Sequence, residues 1–378
     1  MVVLAFRHAD QLDFPYILTA GRMWAAGLDP YGPAFAAYGG AVLPPGARTF
    51  AYPPNWWPIA TALGLLGDDA AVTAWKILNI AATAAAGLIL IDAARRIEGR
   101  RLLWTAAIFL AVLFTSDVIR NTLQLGQTSA IVLLGFALLM NGLARRGPTL
   151  QATGLALLML KPHYGLLFLL LMLTRRETRN SALIALAVTI AACLPILVQL
   201  GLSGTLESAQ NFFGNLQAYS AERWNWPLYA SGLPHLFAYA GITLPAVAAL
   251  FAAWALAEWI IRSAGDANHA DFVRTFWFAS AASICALLPL HVYDFALLFP
   301  CLLLIGSFHN RAAKLLLVLA IAIAWTATRA TTALFFDPAD PNYYWTITQA
   351  KAGLLTAVGF ALLIAVIIGL KGHRRAEP

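Results

Sequence analysis

The chain has 378 residues, of which 60% are hydrophobic and only 11% are charged. Soluble domains carry about 25% charged and about 45–50% apolar residues, so this composition excludes an ordinary cytosolic enzyme, a disordered chain and a nucleic-acid-binding module. The net charge of +7 indicates no nucleic-acid partner, because the basic residues form short clusters between apolar segments. Together with a mean hydropathy of +0.71, this pattern predicts a membrane protein with several spans.

Apolar stretches long enough for membrane helices recur along the chain. A helix rises about 1.5 Å per residue, so about 20 apolar residues cross the roughly 30 Å hydrocarbon layer. One stretch, 149–174, is interrupted by Lys161-Pro162-His163, and proline disrupts a helix interior. We therefore expect two short helices that meet at this break. With nine continuous stretches they predict an all-α, polytopic fold with about 11 crossings. The continuous stretches are 70–92, 102–119, 128–144, 180–200, 243–262, 273–288, 291–308, 314–330 and 346–370.

The distribution of Lys and Arg predicts the orientation of these spans. If the spans alternate, 16 of the 25 basic residues fall on one side, in clusters that begin at Arg95, Arg145, Arg175, Arg262, Arg311 and Lys371. By the positive-inside rule that side is cytoplasmic. The predicted protein is therefore one multi-pass domain over 1–378 in the inner (plasma) membrane, with a cytoplasmic tail at 371–378.

Two extracytoplasmic loops follow from this orientation. Residues 1–69 form the first, with a short interfacial helix at about 59–67, and residues 201–241 form the second, whose Trp and Phe residues are typical of interfacial helices. A start at Met1 leaves the first loop without a preceding span, so we expect a further N-terminal transmembrane helix of which Met1–Phe6 is the last turn or two. The alternative is that the first span inserts without a preceding anchor. Asp68 and Asp69 are predicted to cap the helix that follows.

Ionisable and polar side chains at the outer ends of the spans indicate a functional site. Such groups are costly at membrane depth, so their presence there is a functional hypothesis by default. They are predicted to share one cavity with Asp13, in which a carboxylate would face cations able to hold a phosphate. The group comprises Asp117, Arg120, Asn121, Gln124, Gln127, Lys161, His163, His291, Tyr293 and Asp294.

Short motifs in this order resemble glycosyltransferase family 87. They are Asp13-Phe14, Gly27-Leu28-Asp29-Pro30-Tyr31, Tyr52-Pro53-Pro54, Gly126-Gln127, Lys161-Pro162 and Pro289-Leu290-His291-Val292-Tyr293-Asp294. The resemblance extends from about residue 13 to 310. It implies a GT-C membrane enzyme that moves a sugar, commonly mannose, from a polyprenyl-phosphate donor to a glycolipid or glycan acceptor on the extracytoplasmic face, with inversion.

The resemblance also implies roles for individual residues. Asp13 matches the family's catalytic acid in the first external loop and would act as the general base, with Asp10 as the fallback. A departing phosphate needs cations, and the candidates are Lys161, His163, Arg120, His291 and Arg329. Substrate contacts are expected from Tyr52, Gln127, Tyr293 and Asp294. No cofactor is expected. The resemblance leaves a requirement for a divalent cation open, although the acidic residues form no evident cluster that would bind one.

Each of these residues also has a purely structural interpretation. Asp13 could be a solvated loop acid, Lys161 could extend to an interface, and Arg120 could contact a lipid headgroup. His163 could be a satisfied polar neighbour, and His291 could pair with Asp294. The expected partners are the lipid-linked donor, the acceptor and membrane lipids. An alternative function is a transporter or flippase of lipid-linked glycans, although only one broken helix is evident and transporters usually show two in matching repeats.

Overall fold

The computed structural model describes residues 12–43, 49–99, 102–265, 268–337 and 339–371. Over these ranges the all-α prediction is confirmed: there is no β-sheet, and only one antiparallel bridge joins Ser231 to Leu290. The α-helices in chain order are α1 (Phe14–Ala25), α2 (Phe35–Gly39), α3 (Trp57–Gly64), α4 (Asp68–Glu98), α5 (Leu103–Thr115), α6 (Asp117–Leu125), α7 (Ser129–Arg145), α8 (Pro148–Leu158), α9 (Pro162–Leu173), α10 (Arg176–Ser220), α11 (Leu233–Tyr239), α12 (Ala246–Ala264), α13 (His269–Leu287), α14 (Arg311–Phe335) and α15 (Tyr343–Lys371).

Several of these helices are suited to cross a membrane. In the described ranges five are long and apolar enough, namely α4, α10, α12, α14 and α15, and the bent pair α5–α6 raises the number to six. Helices α7 and α9 and the segment Val292–Ser307 are apolar but shorter. A polytopic membrane protein is thus confirmed, whereas the predicted number of 11 crossings is not.

Two predicted spans have a different local structure. The stretch 291–308 is not an α-helix but two 3₁₀ helices, Val292–Leu297 and Phe299–Ser307. Here the Asp294 carboxylate accepts a hydrogen bond from the His291 backbone N–H (3.0 Å), which fixes a tight first turn. The stretch 102–119 is broken at Ser116, whose backbone is extended and whose hydroxyl caps α6 by accepting from the Ile119 N–H (3.2 Å). The two halves, α5 and α6, bend by 43°.

The break at Lys161 has the form that the sequence predicts. Helix α8 ends at Leu158 and α9 begins at Pro162, and Lys161 between them has extended backbone angles. Proline is tolerated in the first turn of a helix because the N–H that it lacks would have no intrahelical partner there. The chain therefore turns at Lys161 and places this side chain between two helix ends.

The N-terminal region is more helical than the sequence prediction, which placed a single short helix at about 59–67. The structure has α1, α2 and α3, and the last of these covers Trp57–Gly64. Helix α1 was missed because its apolar positions, such as Phe14, Ile17 and Trp24, alternate with small and polar residues that lower its hydropathy. Those side chains are buried. We call the described residues from 12 to 64 the N-terminal lobe.

The predicted cap at Asp68 and Asp69 is wrong. Gly67 is the N-cap residue of α4, and both aspartates lie in the first helical turn. Asp68 instead pairs with Arg22 of α1 at 2.5 Å. Carboxylates in a first turn still favour the helix dipole, so the acids support the start of α4 without capping it.

A second hydrophobic core, rich in aromatic residues, attaches the N-terminal lobe to the membrane helices. Phe14 stacks on Trp75 of α4 with ring centroids 5.1 Å apart. The Trp56 indole N–H donates to the Leu160 carbonyl at 2.9 Å. Since Leu160 directly precedes Lys161, the lobe is attached both to α4 and to the α8–α9 break.

Close packing of α1 on α3 is the feature of the lobe that is easiest to test. A Cβ added at Gly21 would lie 1.8 Å from the Ala60 carbonyl oxygen, so Gly21→Ala should force the two helices apart. We expect a loss of about 1–3 kcal/mol of stability, as for other overpacked sites, measured as a lower thermal unfolding midpoint in detergent. Gly214→Ala is the matched control, because Gly214 also lies inside a helix, α10, and a Cβ there meets nothing within 4 Å. Equal midpoints for the two variants would contradict this packing.

Candidate functional site

Asp13 directly precedes the first residue of α1 and is held by hydrogen bonds of both its backbone and its side chain. Its backbone N–H donates to the Leu125 carbonyl at 2.9 Å, and its Oδ2 accepts from the Gln127 side-chain amide at 2.5 Å. Burial raises the pKa of Asp13 from 3.8 to about 6, against the opposing effects of the Gln127 hydrogen bond and the Lys161 charge. Asp294 also raises this pKa. Asp13 is thus within electrostatic reach of both Lys161 and Asp294.

The segment Leu125–Ser129, between α6 and α7, organises the site. Gly126 has a left-handed backbone (φ 71°) and closes the end of α6, a conformation that glycine adopts at little cost. The Gly126 carbonyl accepts from the Trp75 indole N–H at 2.9 Å. Within five residues this segment contacts Asp13 through Leu125 and Gln127, and it reaches the α8–α9 break through Ser129.

Lys161 and Asp294 form a buried ion pair at the centre of the site. The ammonium Nζ lies 2.5 Å from Asp294 Oδ1 and 3.1 Å from the Ser129 hydroxyl. Lys161 is 9% exposed and Asp294 4% exposed. An ammonium has three donors, and the described residues take two of those of Lys161, so one N–H is left for a further acceptor. The Tyr293 ring lies 4.9 Å from Nζ.

Both carboxylate oxygens of Asp294 accept hydrogen bonds from other groups of the protein. Oδ1 accepts from Lys161, with Ser129 at 3.5 Å, and Oδ2 accepts from the His291 backbone N–H. The Tyr164 hydroxyl donates to the Asp294 backbone carbonyl at 3.1 Å. The arrangement makes Asp294 a residue that positions Lys161 and the His291 turn.

The two predicted histidines border the same ion pair. His163 follows Lys161 by two residues, and its Nε2 is buried with no hydrogen-bond partner in the described part of the chain. The His291 Nε2 lies 3.5 Å from the Asn225 side-chain oxygen, and its ring is 5.5 Å from that of Tyr293. Both imidazoles interact electrostatically with Asp294 and Lys161. An unpaired buried nitrogen is costly, so His163 has a group available for a ligand.

The structure therefore brings most of the predicted residues together. Tyr52 and Tyr293 interact electrostatically with both Asp13 and Asp294, so both tyrosines lie within electrostatic range of the two carboxylates. The side-chain amide of Gln127 donates its hydrogen bond to Asp13. The fallback base, Asp10, lies outside the described residues.

Arg120 belongs to a different cluster. Its guanidinium is 3.4 Å from Asp117, a fully buried carboxylate that also pairs with Arg329 at 2.9 Å. Within the described part of the chain, no hydrogen bond or ion pair joins Arg120 to Lys161. The sequence grouped these cations because all occur at predicted outer span ends, and that position does not distinguish one side of a helix bundle from another.

Three residues of the site were not predicted: Ser129, Asn225 and Tyr164. A sequence signal existed for Ser129, because it follows the Gly126-Gln127 pair and precedes an apolar helix. Asn225 and Tyr164 offered none, since each is an ordinary polar or aromatic residue until the fold brings it to His291 or Asp294. Among the described residues, no three His, Cys, Asp or Glu side chains converge as metal ligands.

The family model for Glycosyltransferase family 87 matches residues 50–289. No curated protein matches the chain. Tyr52, Arg120, Gln127, Lys161 and His163 lie within the matched residues, whereas Asp13, His291, Tyr293 and Asp294 lie outside them. The match covers more than half of the 378 residues, and the helices are those of a polytopic membrane protein. The chain therefore belongs to glycosyltransferase family 87 and is a membrane glycosyltransferase.

Proposed function

We propose that the protein moves a sugar, mannose, from a polyprenyl-phosphate donor to a glycolipid or glycan acceptor at the extracytoplasmic face, with Asp13 as general base. The strongest support is that the Asp13 carboxylate and the Lys161 ammonium both form hydrogen bonds with the same five-residue segment, Leu125–Ser129. One group can accept a proton and the other can receive an anion within a single site.

Asp13 has the chemistry that the acceptor requires. A sugar hydroxyl has a high pKa and is a weak nucleophile until a base takes its proton. With a pKa of about 6, Asp13 is a stronger base than a solvated aspartate and is still ionised at neutral pH. The acceptor oxygen then bonds to the anomeric carbon as its proton passes to Asp13.

The Lys161 ammonium and two imidazole N–H groups serve the leaving group. As the acceptor oxygen attacks, the bond between the anomeric carbon and the phosphate oxygen breaks, and the electron pair leaves with the polyprenyl phosphate. Positioned cations and N–H donors stabilise such developing charge. Lys161 has one free donor, and His163 and His291 flank it, so these three residues would hold the phosphate. Single displacement of this kind turns a β-linked donor into an α-linked product.

Tyr52 and Tyr293 would then line the space between base and phosphate, where the sugar ring must lie. Gln127 and Asp294 act in this proposal as positioning residues, because each is already committed to Asp13 or to Lys161. A lipid donor suits the setting, since the site is built at the ends of apolar helices, and the clusters of Lys and Arg predict that these ends face away from the cytoplasm.

Asp13→Asn should abolish most sugar transfer without unfolding the protein. The Asn side-chain oxygen can still accept from Gln127, while the base is lost. We expect transfer from polyprenyl-phosphate mannose in membranes to fall by about 10²–10⁴-fold. The measurement is the rate of labelled product formation at matched protein amounts.

Asp29→Asn is the matched control for this experiment. Asp29 Oδ1 accepts from the Tyr31 backbone N–H (3.1 Å) and from the Ser208 hydroxyl (2.8 Å), and an Asn oxygen can accept both bonds. This variant should keep wild-type activity. Full activity in Asp13→Asn would refute the proposed base, and complete inactivity of the wild type with every polyprenyl-phosphate sugar would refute the donor class.

The pH dependence of transfer should follow ionisation of Asp13. Because the ionised form is the base, the rate rises with pH through about 6, with about a tenth of the full rate at pH 5 and about nine tenths at pH 7. Gln127→Met removes a hydrogen bond that lowers this pKa, so its profile should shift to higher pH. Gln199→Met removes an amide that bonds to Trp24 instead and should leave the profile in place. A rate independent of pH from 5 to 7 would contradict the assignment.

A further inference from the structure

A second group of charges lies around Asp117, at the start of α6. Asp117 is fully buried, and its Oδ1 lies 2.9 Å from the Arg329 Nε and 3.4 Å from an Arg120 guanidinium nitrogen. Its Oδ2 accepts from the Arg329 backbone N–H at 2.8 Å. Lys351 of α15 interacts electrostatically with both Asp117 and Arg120. Three charged side chains from two helices thus meet at one place, and Lys351 of a third helix lies within electrostatic range of two of them.

The positive charges in this cluster outnumber the negative ones. Arg120, Arg329 and Lys351 carry three positive charges, and Asp117 is the one carboxylate that the contacts of the described residues bring to them. In addition, the Arg120 Nε is buried with no hydrogen-bond partner among those residues. The buried Asp117 Oδ1 also has no hydrogen-bond partner among those residues, although it lies within ion-pair distance of both guanidinium groups. A single carboxylate leaves two positive charges unbalanced, and unbalanced charge is costly where water is scarce, so the cluster suits a further anion that accepts hydrogen bonds.

The exposure of the Arg329 side chain indicates the side of the helix bundle from which such an anion would approach. That side chain is 46% exposed, and it lies on the face of α14 that also carries the exposed Leu315, Val318 and Leu319. Positions 315, 318, 322 and 329 share one side of a helix with 3.6 residues per turn. An exposed apolar face on a membrane-spanning helix contacts lipid. The cluster is therefore open toward the bilayer.

We propose that Arg120, Arg329 and Lys351 bind the phosphate of a lipid, at a site separate from the Asp13–Lys161 pair. Arginine presents several fixed N–H donors that match phosphate oxygens, and a lipid is the phosphate carrier that can approach from the side of α14. Asp117 positions the two guanidinium groups. The phosphate could belong to a bilayer phospholipid or to an isoprenoid phosphate, which are equivalent at this group.

Lys351 gives the second site a connection to the first. It interacts electrostatically with His291 as well as with Asp117 and Arg120. A lipid phosphate on Arg120, Arg329 and Lys351 would thus lie within electrostatic range of His291 at the proposed donor site without occupying that site. This inference does not depend on which sugar or donor the enzyme uses.

Lipid binding to the full-length protein tests the proposal directly. Purified protein in neutral detergent is titrated with phosphatidylglycerol, with geranylgeranyl phosphate or with phosphatidylcholine, and bound lipids are counted by native mass spectrometry. In the variant that combines Arg329→Gln with Lys351→Gln, we expect loss of one bound anionic lipid and about tenfold weaker binding or more.

Two further variants make the result specific. Arg96→Gln combined with Arg262→Gln removes the same charge elsewhere, and Asp92 and Glu258 keep Arg145 and Arg175 as partners. That control should bind lipid like the wild type. Lys351→Gln alone breaks no direct ion pair and should still weaken binding, which keeps the test valid if loss of Arg329 impairs folding.

The two anionic lipids distinguish a bilayer phospholipid from an isoprenoid phosphate as the source of the bound phosphate. Weaker binding of phosphatidylglycerol alone would identify a bilayer phospholipid, weaker binding of geranylgeranyl phosphate alone would identify an isoprenoid carrier, and weaker binding of both would show that the phosphate alone is recognised. Unchanged binding of both anionic lipids in the double and single variants, or equal weakening in the control, would overturn the proposal.

Discussion

The segment from Leu125 to Ser129 is the constraint on which the rest of the site depends. Its first residue accepts from the Asp13 backbone, its third holds the Asp13 carboxylate, and its fifth accepts from Lys161. This density of contacts requires a sharp turn between α6 and α7, and Gly126 makes the turn possible. The spacing between the Asp13 carboxylate and the Lys161 ammonium is therefore set by one short piece of backbone.

The buried pair of Lys161 and Asp294 is better explained by chemistry than by stability. Burying an ion pair costs about as much desolvation energy as the attraction returns, and apolar replacements are often as stable. What the pair provides is a fixed ammonium. Asp294 and Ser129 take two of its donors, and the third is left with a defined direction. Asp117 likewise fixes the position of two guanidinium groups, those of Arg120 and Arg329. Part of their hydrogen-bonding capacity, such as the Arg120 Nε, has no partner among the described residues.

Sequence alone predicted the membrane class and the helix break at Lys161, because composition and proline each have a direct physical meaning. It also named a set of candidate residues of which most lie close together in the structure, because ionisable groups in apolar runs are costly without a purpose. It missed α1, whose hydropathy is diluted by polar and small residues, and it made a spanning helix of 291–308, where a local bond from His291 to Asp294 favours 3₁₀ turns. It also grouped Arg120 with Lys161. Depth in a membrane can be estimated from sequence, but the direction around a helix bundle depends on tertiary packing.

In the proposed mechanism, Asp13 and Lys161 face one reacting centre. An electron cryomicroscopy structure of the protein with a polyprenyl phosphate bound in lipid nanodiscs would test this arrangement. We expect phosphate density within hydrogen-bonding distance of Lys161 Nζ and beside His163 or His291, with Asp13 across a gap the size of one sugar ring. Phosphate bound only elsewhere, with Lys161 fully enclosed by protein and Asp13 opening onto a separate space, would contradict it.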